Sequence, residues 1–112
     1  MKKIIITVFG FGVLLLACSK NSVNYTVDCS TAKSYATDVS PIIQTYCAAN
    51  SGCHATGSSH GPGALTSYAQ VYSARAAIRT AVANGSMPEN GSLTNDQKNA
   101  IICWIDSGAA NN

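Results

Sequence analysis

Cys47-Ala48-Ala49-Asn50-Ser51-Gly52-Cys53-His54 is the stretch that decides how this chain is read. It holds two thiols with five residues between them, and an imidazole directly after the second. Asn50-Ser51-Gly52 is turn-forming material, so part of the spacing can bulge outward and leave the sulfurs near each other. Residues 36–47 read as a first helix running into the first thiol, with Ile42, Ile43 and Tyr46 at helical spacing. Ser40 is a fair N-cap there, and Pro41 suits the first helical position. Residues 54–66 are rich in Gly, Ser and His and contain Gly61-Pro62-Gly63, which reads as a loop. The thiols and the imidazole therefore sit where a helix gives way to a loop. Two chemistries fit that placement: a small disulfide loop with a solvated histidine, or a pair of attachment thiols beside a metal-ligating imidazole.

The rest of the chain reads as helix. Residues 67–84 are alanine-rich, with Tyr68, Val71, Tyr72, Ile78 and Val82 in register for one or two helices and Gly85 to end the last. Thr94-Asn95-Asp96-Gln97 is a capping box. Ile101, Ile102 and Ile105 follow it as an apolar stripe widened by Trp104, and Gly108 is the stop. Asp96 and Asp106 on this last helix read as capping or solvated charges. No strand period and no internal repeat is visible. The expectation is an all-α domain over residues 35–112 with three to four helices.

The N-terminus has a different character. Lys2 and Lys3 precede an apolar run from Ile4 to Leu16. The run is shorter than the roughly 20 residues a membrane-spanning helix needs and fits a signal-peptide core. It ends in Leu15-Leu16-Ala17-Cys18, which resembles the lipobox of bacterial lipoproteins. That resemblance implies removal of residues 1–17 and a diacylglycerol on the Cys18 thiol. Residues 18–34 then read as a polar tether of about 15 residues. Without Lys2 and Lys3, five basic residues (Lys20, Lys33, Arg75, Arg79, Lys98) face five acidic ones (Asp28, Asp38, Glu89, Asp96, Asp106). The formal charge falls from +2 to about zero, which gives no basis for binding nucleic acid. No paired-carboxylate spacing, nucleophile elbow or phosphate loop points to catalysis.

The expected core is thin. From Tyr35 onward the large aliphatics are Val39, Ile42, Ile43, Leu65, Val71, Ile78, Val82, Leu93, Ile101, Ile102 and Ile105. A domain of roughly 80 residues so provided needs a staple, a metal or a large buried cofactor.

A cysteine followed at once by histidine, with a second cysteine upstream, has the shape of a c-type haem attachment site. Two thiols must reach two vinyl groups on one edge of the porphyrin, while the adjacent imidazole turns beneath the ring to bind iron. Four features in order extend the likeness: Ile42-Ile43 leading to Cys47…Cys53-His54; Gly61-Pro62…Leu65; Gly85-Ser86-Met87-Pro88; and Leu93-Thr94…Ile102…Trp104-Ile105…Gly108-Ala109. From Tyr35 to Asn112 the chain resembles the small single-haem c-type cytochrome domains of bacterial lipoproteins. It departs from them in the cysteine spacing, which is two residues in the usual motif and five here.

The resemblance implies an all-α cytochrome c fold around one covalent haem c. Cys47 and Cys53 become the anchors and His54 the proximal ligand. Met87 becomes the sixth ligand; it is the only methionine left after the signal, 33 residues beyond His54 and before Pro88. A thioether stabilises ferrous iron, so a His/Met pair raises the potential. His60, six residues past His54, is a rival ligand and reads as a solvated loop histidine. Pro62 matches the proline whose carbonyl accepts a hydrogen bond from the proximal imidazole, a contact that orients the ring. Tyr46, Tyr68, Tyr72 and Trp104 would pack on the haem, bond its propionates or fill the core. The implied function is electron transfer without catalysis, by a monomer with protein redox partners and a lipid contact to the membrane. Ser19 after Cys18, with no aspartate there, favours export to the periplasmic side of the outer membrane. The rival readings are a haem enzyme or gas binder with an open sixth position, and a haem-free disulfide-bonded interaction module.

Five cysteines are present, and with Cys18 lipidated four remain in an oxidising compartment. Either Cys47 and Cys53 anchor a haem and Cys29 pairs with Cys103, or Cys47–Cys53 and Cys29–Cys103 are two disulfides. The count alone leaves the connectivity open. A Cys29–Cys103 bridge would close a loop of about 75 residues and contribute about 4 kcal/mol on the chain-entropy model.

Overall fold

The helix that leads into Cys47 begins earlier than its Ser40-Pro41 pair suggests. In a computed structural model of the chain, which describes residues 25–112, this helix (α1) is built in three turns. A wide π turn spans Tyr35–Val39, an α turn Ser40–Ile42, and a second π turn Ile43–Cys47. The N-cap is Ser34, not Ser40. The Ser34 Oγ accepts from the Thr37 N–H at 3.2 Å, and the Ser34 N–H donates to Asp38 Oδ2 at 2.7 Å. Pro41 therefore falls mid-helix, where it has no N–H to give. The turn before it is already wide: Val39 N–H donates to Ser34 O at 3.2 Å, five residues back, and so does Ser40 to Tyr35.

A single helix, α2 (Tyr68–Asn84), covers the alanine-rich stretch, and α3 (Asn95–Asp106) closes the domain. Both start in complete capping boxes, Ser67 with Gln70 and Thr94 with Gln97. Gly85 ends α2 in the left-handed conformation, at φ 76°. Among the described residues there are only helices and loops, so the all-α expectation holds at that level. None of these helices is long and apolar enough to cross a membrane.

Helix α3 buries Ala100, Ile101, Ile102, Cys103 and Trp104 in succession, so almost all of its circumference is covered. It packs on α2 and on the first turn of α1. Tyr35, Tyr68 and Trp104 meet there with ring centroids 5.1, 5.4 and 6.3 Å apart. Two of the three carry a bonded polar end: Tyr68 Oη donates to Ala109 O at 2.9 Å and Trp104 Nε1 to Ala110 O at 2.8 Å. The C-terminus ties in as well, with Ala36 N–H on Asn112 O and Tyr35 N–H on Asn112 Oδ1.

The Cys29–Cys103 disulfide is present, with Cα atoms 5.3 Å apart. It changes the reading of residues 18–34 as a tether. Tyr25 Oη donates to Asn99 Oδ1 at 2.5 Å, and the Asp28 N–H donates to the same oxygen at 3.1 Å. The second half of the expected tether is thus fastened along α3. The expected signal peptide 1–17 and the expected lipidation site Cys18 lie outside the described residues.

Candidate functional site

The far end of α1 delivers Cys47, buried, into a cleft. The segment after it folds back at once. Cys53 N–H donates to both Asn50 O (3.0 Å) and Asn50 Oδ1 (3.1 Å), and His54 N–H returns to Cys47 O at 2.9 Å. Asn50, Ser51 and Gly52 are exposed. The spacing is therefore taken up by an outward bulge, as turn-forming residues allow, and the two ends of the motif are hydrogen-bonded neighbours. Cys47 and Cys53 are not disulfide-bonded. Burial first, and the neighbouring Cys53 second, push the Cys47 thiol up from 9.0 to about 11. It stays protonated and weakly nucleophilic at neutral pH.

Among the described residues His54 is the one buried polar or charged side chain, 8% exposed. Its Nδ1 lies 2.9 Å from the carbonyl of Gly63. A carbonyl only accepts, so Nδ1 carries the proton and Nε2 presents a lone pair. The expected acceptor was Pro62; the observed one is a residue later. Gly61 and Gly63 both take positive φ, and Gly63 N–H closes a turn on His60 O at 2.9 Å, so it is the Gly63 carbonyl that meets the ring. Pro62 forms part of the wall instead. The loop is pinned at its far side by Leu65 N–H on His54 O (2.8 Å) and by Gln44 Nε2 on Leu65 O (3.0 Å).

Met87 is brought to the same place by the end of α2. With Gly85 left-handed, the Met87 N–H reaches back to Ala81 O at 3.3 Å, and Met87 becomes partly buried. Two adjoining hollows share lining residues here. The larger, about 420 Å³, is lined by Tyr46, Cys47, Cys53, His54, His60 and Met87 with neighbouring loop residues. The smaller, about 130 Å³, is lined by Cys47, His54, Pro62, Leu65, Ile78 and Met87 together with small α2 side chains. Cys47, His54 and Met87 belong to both. A space of this size matches small-molecule and cofactor sites, which run from roughly 300 to 1,000 Å³.

The structure thus gathers Cys47, Cys53, His54 and Met87 on one cleft, with Pro62 in its wall and the exposed His60 on its rim. Of the aromatic candidates only Tyr46 lines it. Tyr68 and Trp104 serve the distant aromatic cluster, and Tyr72 lies on the surface with the Arg75 guanidinium 3.9 Å over its ring. Sequence reading missed Gln44, the Gly63 carbonyl and the Ala81 carbonyl. The last two act through backbone atoms, which carry no residue-type signal. Chemically, the cleft offers two thiols for covalent attachment, one oriented nitrogen donor and one thioether donor. Compared with known proteins, the chain matches no family model, no curated protein and no solved structure.

Proposed function

We propose that this chain is a lipid-anchored electron carrier holding one covalent haem c. The observation that carries the reading is the convergence of two unpaired thiols, an imidazole with Nδ1 already committed, and a thioether on a single cleft. Among the described residues no group of three or more His, Cys, Asp or Glu is assembled, so a bare ion would find few protein donors. A porphyrin brings its own four nitrogens and asks the protein for two axial ligands and its anchors. The donor set fits that demand.

Cys47 and Cys53 would hold the group covalently through their sulfurs. His54 would offer Nε2 as one donor to the iron, its ring held and made more basic by the Gly63 carbonyl. Met87 would offer the other. When bound, the haem supplies an iron that changes oxidation state by one electron. With His54 and Met87 both engaged, the group would offer no open place to a substrate, which supports a carrier that passes electrons rather than an enzyme. Cys18 would carry the lipid that holds the domain at the periplasmic side of a membrane, and the partners are other redox proteins.

Haem staining of a denaturing gel tests this directly, because only a covalent haem stays with the denatured chain. The stain is expected on the wild type and lost in Cys47→Ala/Cys53→Ala. A wild type that does not stain, with Cys47 bonded to Cys53 by mass, would make the protein a haem-free interaction module. Met87→Ala is expected to lower the reduction potential. An unchanged potential, or a reduced wild type that binds carbon monoxide, would take Met87 off the iron.

A further inference from the structure

Tyr25 is held on α3 by three groups. Its hydroxyl donates to Asn99, the Lys98 ammonium lies 5.1 Å from its ring centroid, and the chain returns to Asn99 through the Asp28 N–H. One residue later Cys29 is covalently fixed to Cys103. The segment is therefore part of the folded body, and the stretch from Cys18 to Tyr25 is seven residue steps long. Whatever its conformation, seven residues span at most about 25 Å. Were the body to begin at Tyr35, with seventeen residues free, the limit would be about 60 Å.

We propose that the Tyr25–Cys29 clasp on α3 turns the N-terminal segment into a short leash. It holds this domain against the lipid leaflet that carries Cys18, so that electron exchange takes place in the layer next to the membrane. The proposal rests on the lipid-anchored reading and adds to it a fixed working distance. The clasp combines a covalent bond at Cys29 with two hydrogen bonds to Asn99 and a cation–π contact to Lys98, so it fixes the chain on α3 ten residues ahead of Tyr35. A disulfide meant only to staple the domain would serve equally well with the preceding residues undocked.

Neutron reflectometry of the lipidated chain on a supported bilayer tests the leash. The wild-type layer is expected to begin within about 25 Å of the headgroups. Two variants lengthen the leash in different ways. Cys29→Ser/Cys103→Ser releases the clasp. Insertion of seven Gly/Ser residues between Cys18 and Tyr25 keeps it and is independent of whether the first variant folds. Either change is expected to move the protein layer outward or broaden it away from the bilayer. A wild-type layer beyond the limit, or an insertion that leaves the layer unmoved, overturns the leash while the anchor stands. Intact mass separates the two cases: an N-terminus without diacylglycerol removes the anchor, and the leash with it.

Discussion

Around Trp104 three rings pack on one another, the polar ends of Tyr68 and Trp104 are bonded, and a disulfide fastens the helix that carries Trp104. Around His54 two thiols are unpaired and the walls of a cleft stand apart. The two regions share the same helices. The first turns of α1 and α2 carry Tyr35, Tyr68 and Val71, which fill the closed end. The last turns of α1 and α2 carry Cys47, Ala77 and Ala81, whose short side chains leave the open end hollow. Interiors without a partner for their walls lose dispersion contacts outright, so such a hollow persists only where something else holds the frame. Here the frame is the closed end. This division separates a part that stabilises from a part that receives.

The largest test of the division is Trp104→Ala. Trp104 is 1% exposed and touches both Tyr35 and Tyr68, so the change is expected to cost about 3–5 kcal/mol of unfolding free energy. Denaturant unfolding of the haem-free chain measures it. Met87→Ala in the same background should cost far less, since Met87 is only partly buried and faces the cleft. Equal losses at the two sites would break the comparison and make the cleft a structural element like any other.

Smaller, and confined to the open end, is the alkaline titration of Cys47. Its folded-state value, about 11, lies above the ordinary 9.0 because burial disfavours the thiolate and Cys53 adds to the effect. The folded state therefore keeps the proton longer than the unfolded one. Stability from this group is complete below pH 9.0 and is lost as pH climbs toward about 11. A loss of about 2 kcal/mol is expected across that window in the haem-free chain, and Cys47→Ala should flatten it. Once the sulfur is a thioether it no longer titrates. The same urea series on haem-loaded protein should then show none of this loss, which ties the open end to its proposed cargo.

How much of this was legible follows the same line. The last helix was readable in full, because Thr94, Gln97 and the Ile101–Ile105 stripe are local signals for a local structure. The bulge at Asn50-Ser51-Gly52 was readable from turn chemistry, and the hollow from the shortage of large side chains. The extent of α1 was readable, residues 36–47 against the observed Tyr35–Cys47, but its cap was not. Ser40-Pro41 imitates a helix start, while the true cap depends on Ser34 bonding to the Thr37 N–H and to Asp38, which their spacing does not announce. The clasp of Tyr25 was invisible for a deeper reason. Its partner Asn99 is 74 residues away, and nothing in a polar stretch says which distant amide it will meet. The swap of Pro62 for Gly63 as the imidazole's acceptor turned on backbone dihedrals at two glycines, a matter of geometry rather than residue type.

The weakest expected effect lies between the two ends. Arg79 on α2 and Asp106 on α3 form a two-pronged pair, Nε–Oδ1 at 2.6 Å and Nη2–Oδ2 at 2.8 Å. The geometry is the strong kind, yet both side chains are about 40% exposed, and water and salt screen what the geometry provides. The hydrogen bonds and charge of Arg79 hold the Asp106 carboxyl below its ordinary 3.8. Stability from this group is thus present above that value and lost as pH falls through the lowered one. Asp106→Asn should remove that acid-limb dependence and barely move the melting temperature at neutral pH, with the remaining difference shrinking as salt is raised. Arg79 adjoins Ile78 of the cleft wall, and Asp106 follows the buried run that ends at Trp104. If this exposed pair proved as costly to break as Trp104, the closed end would not be holding the open one; the link between the helices would be holding both.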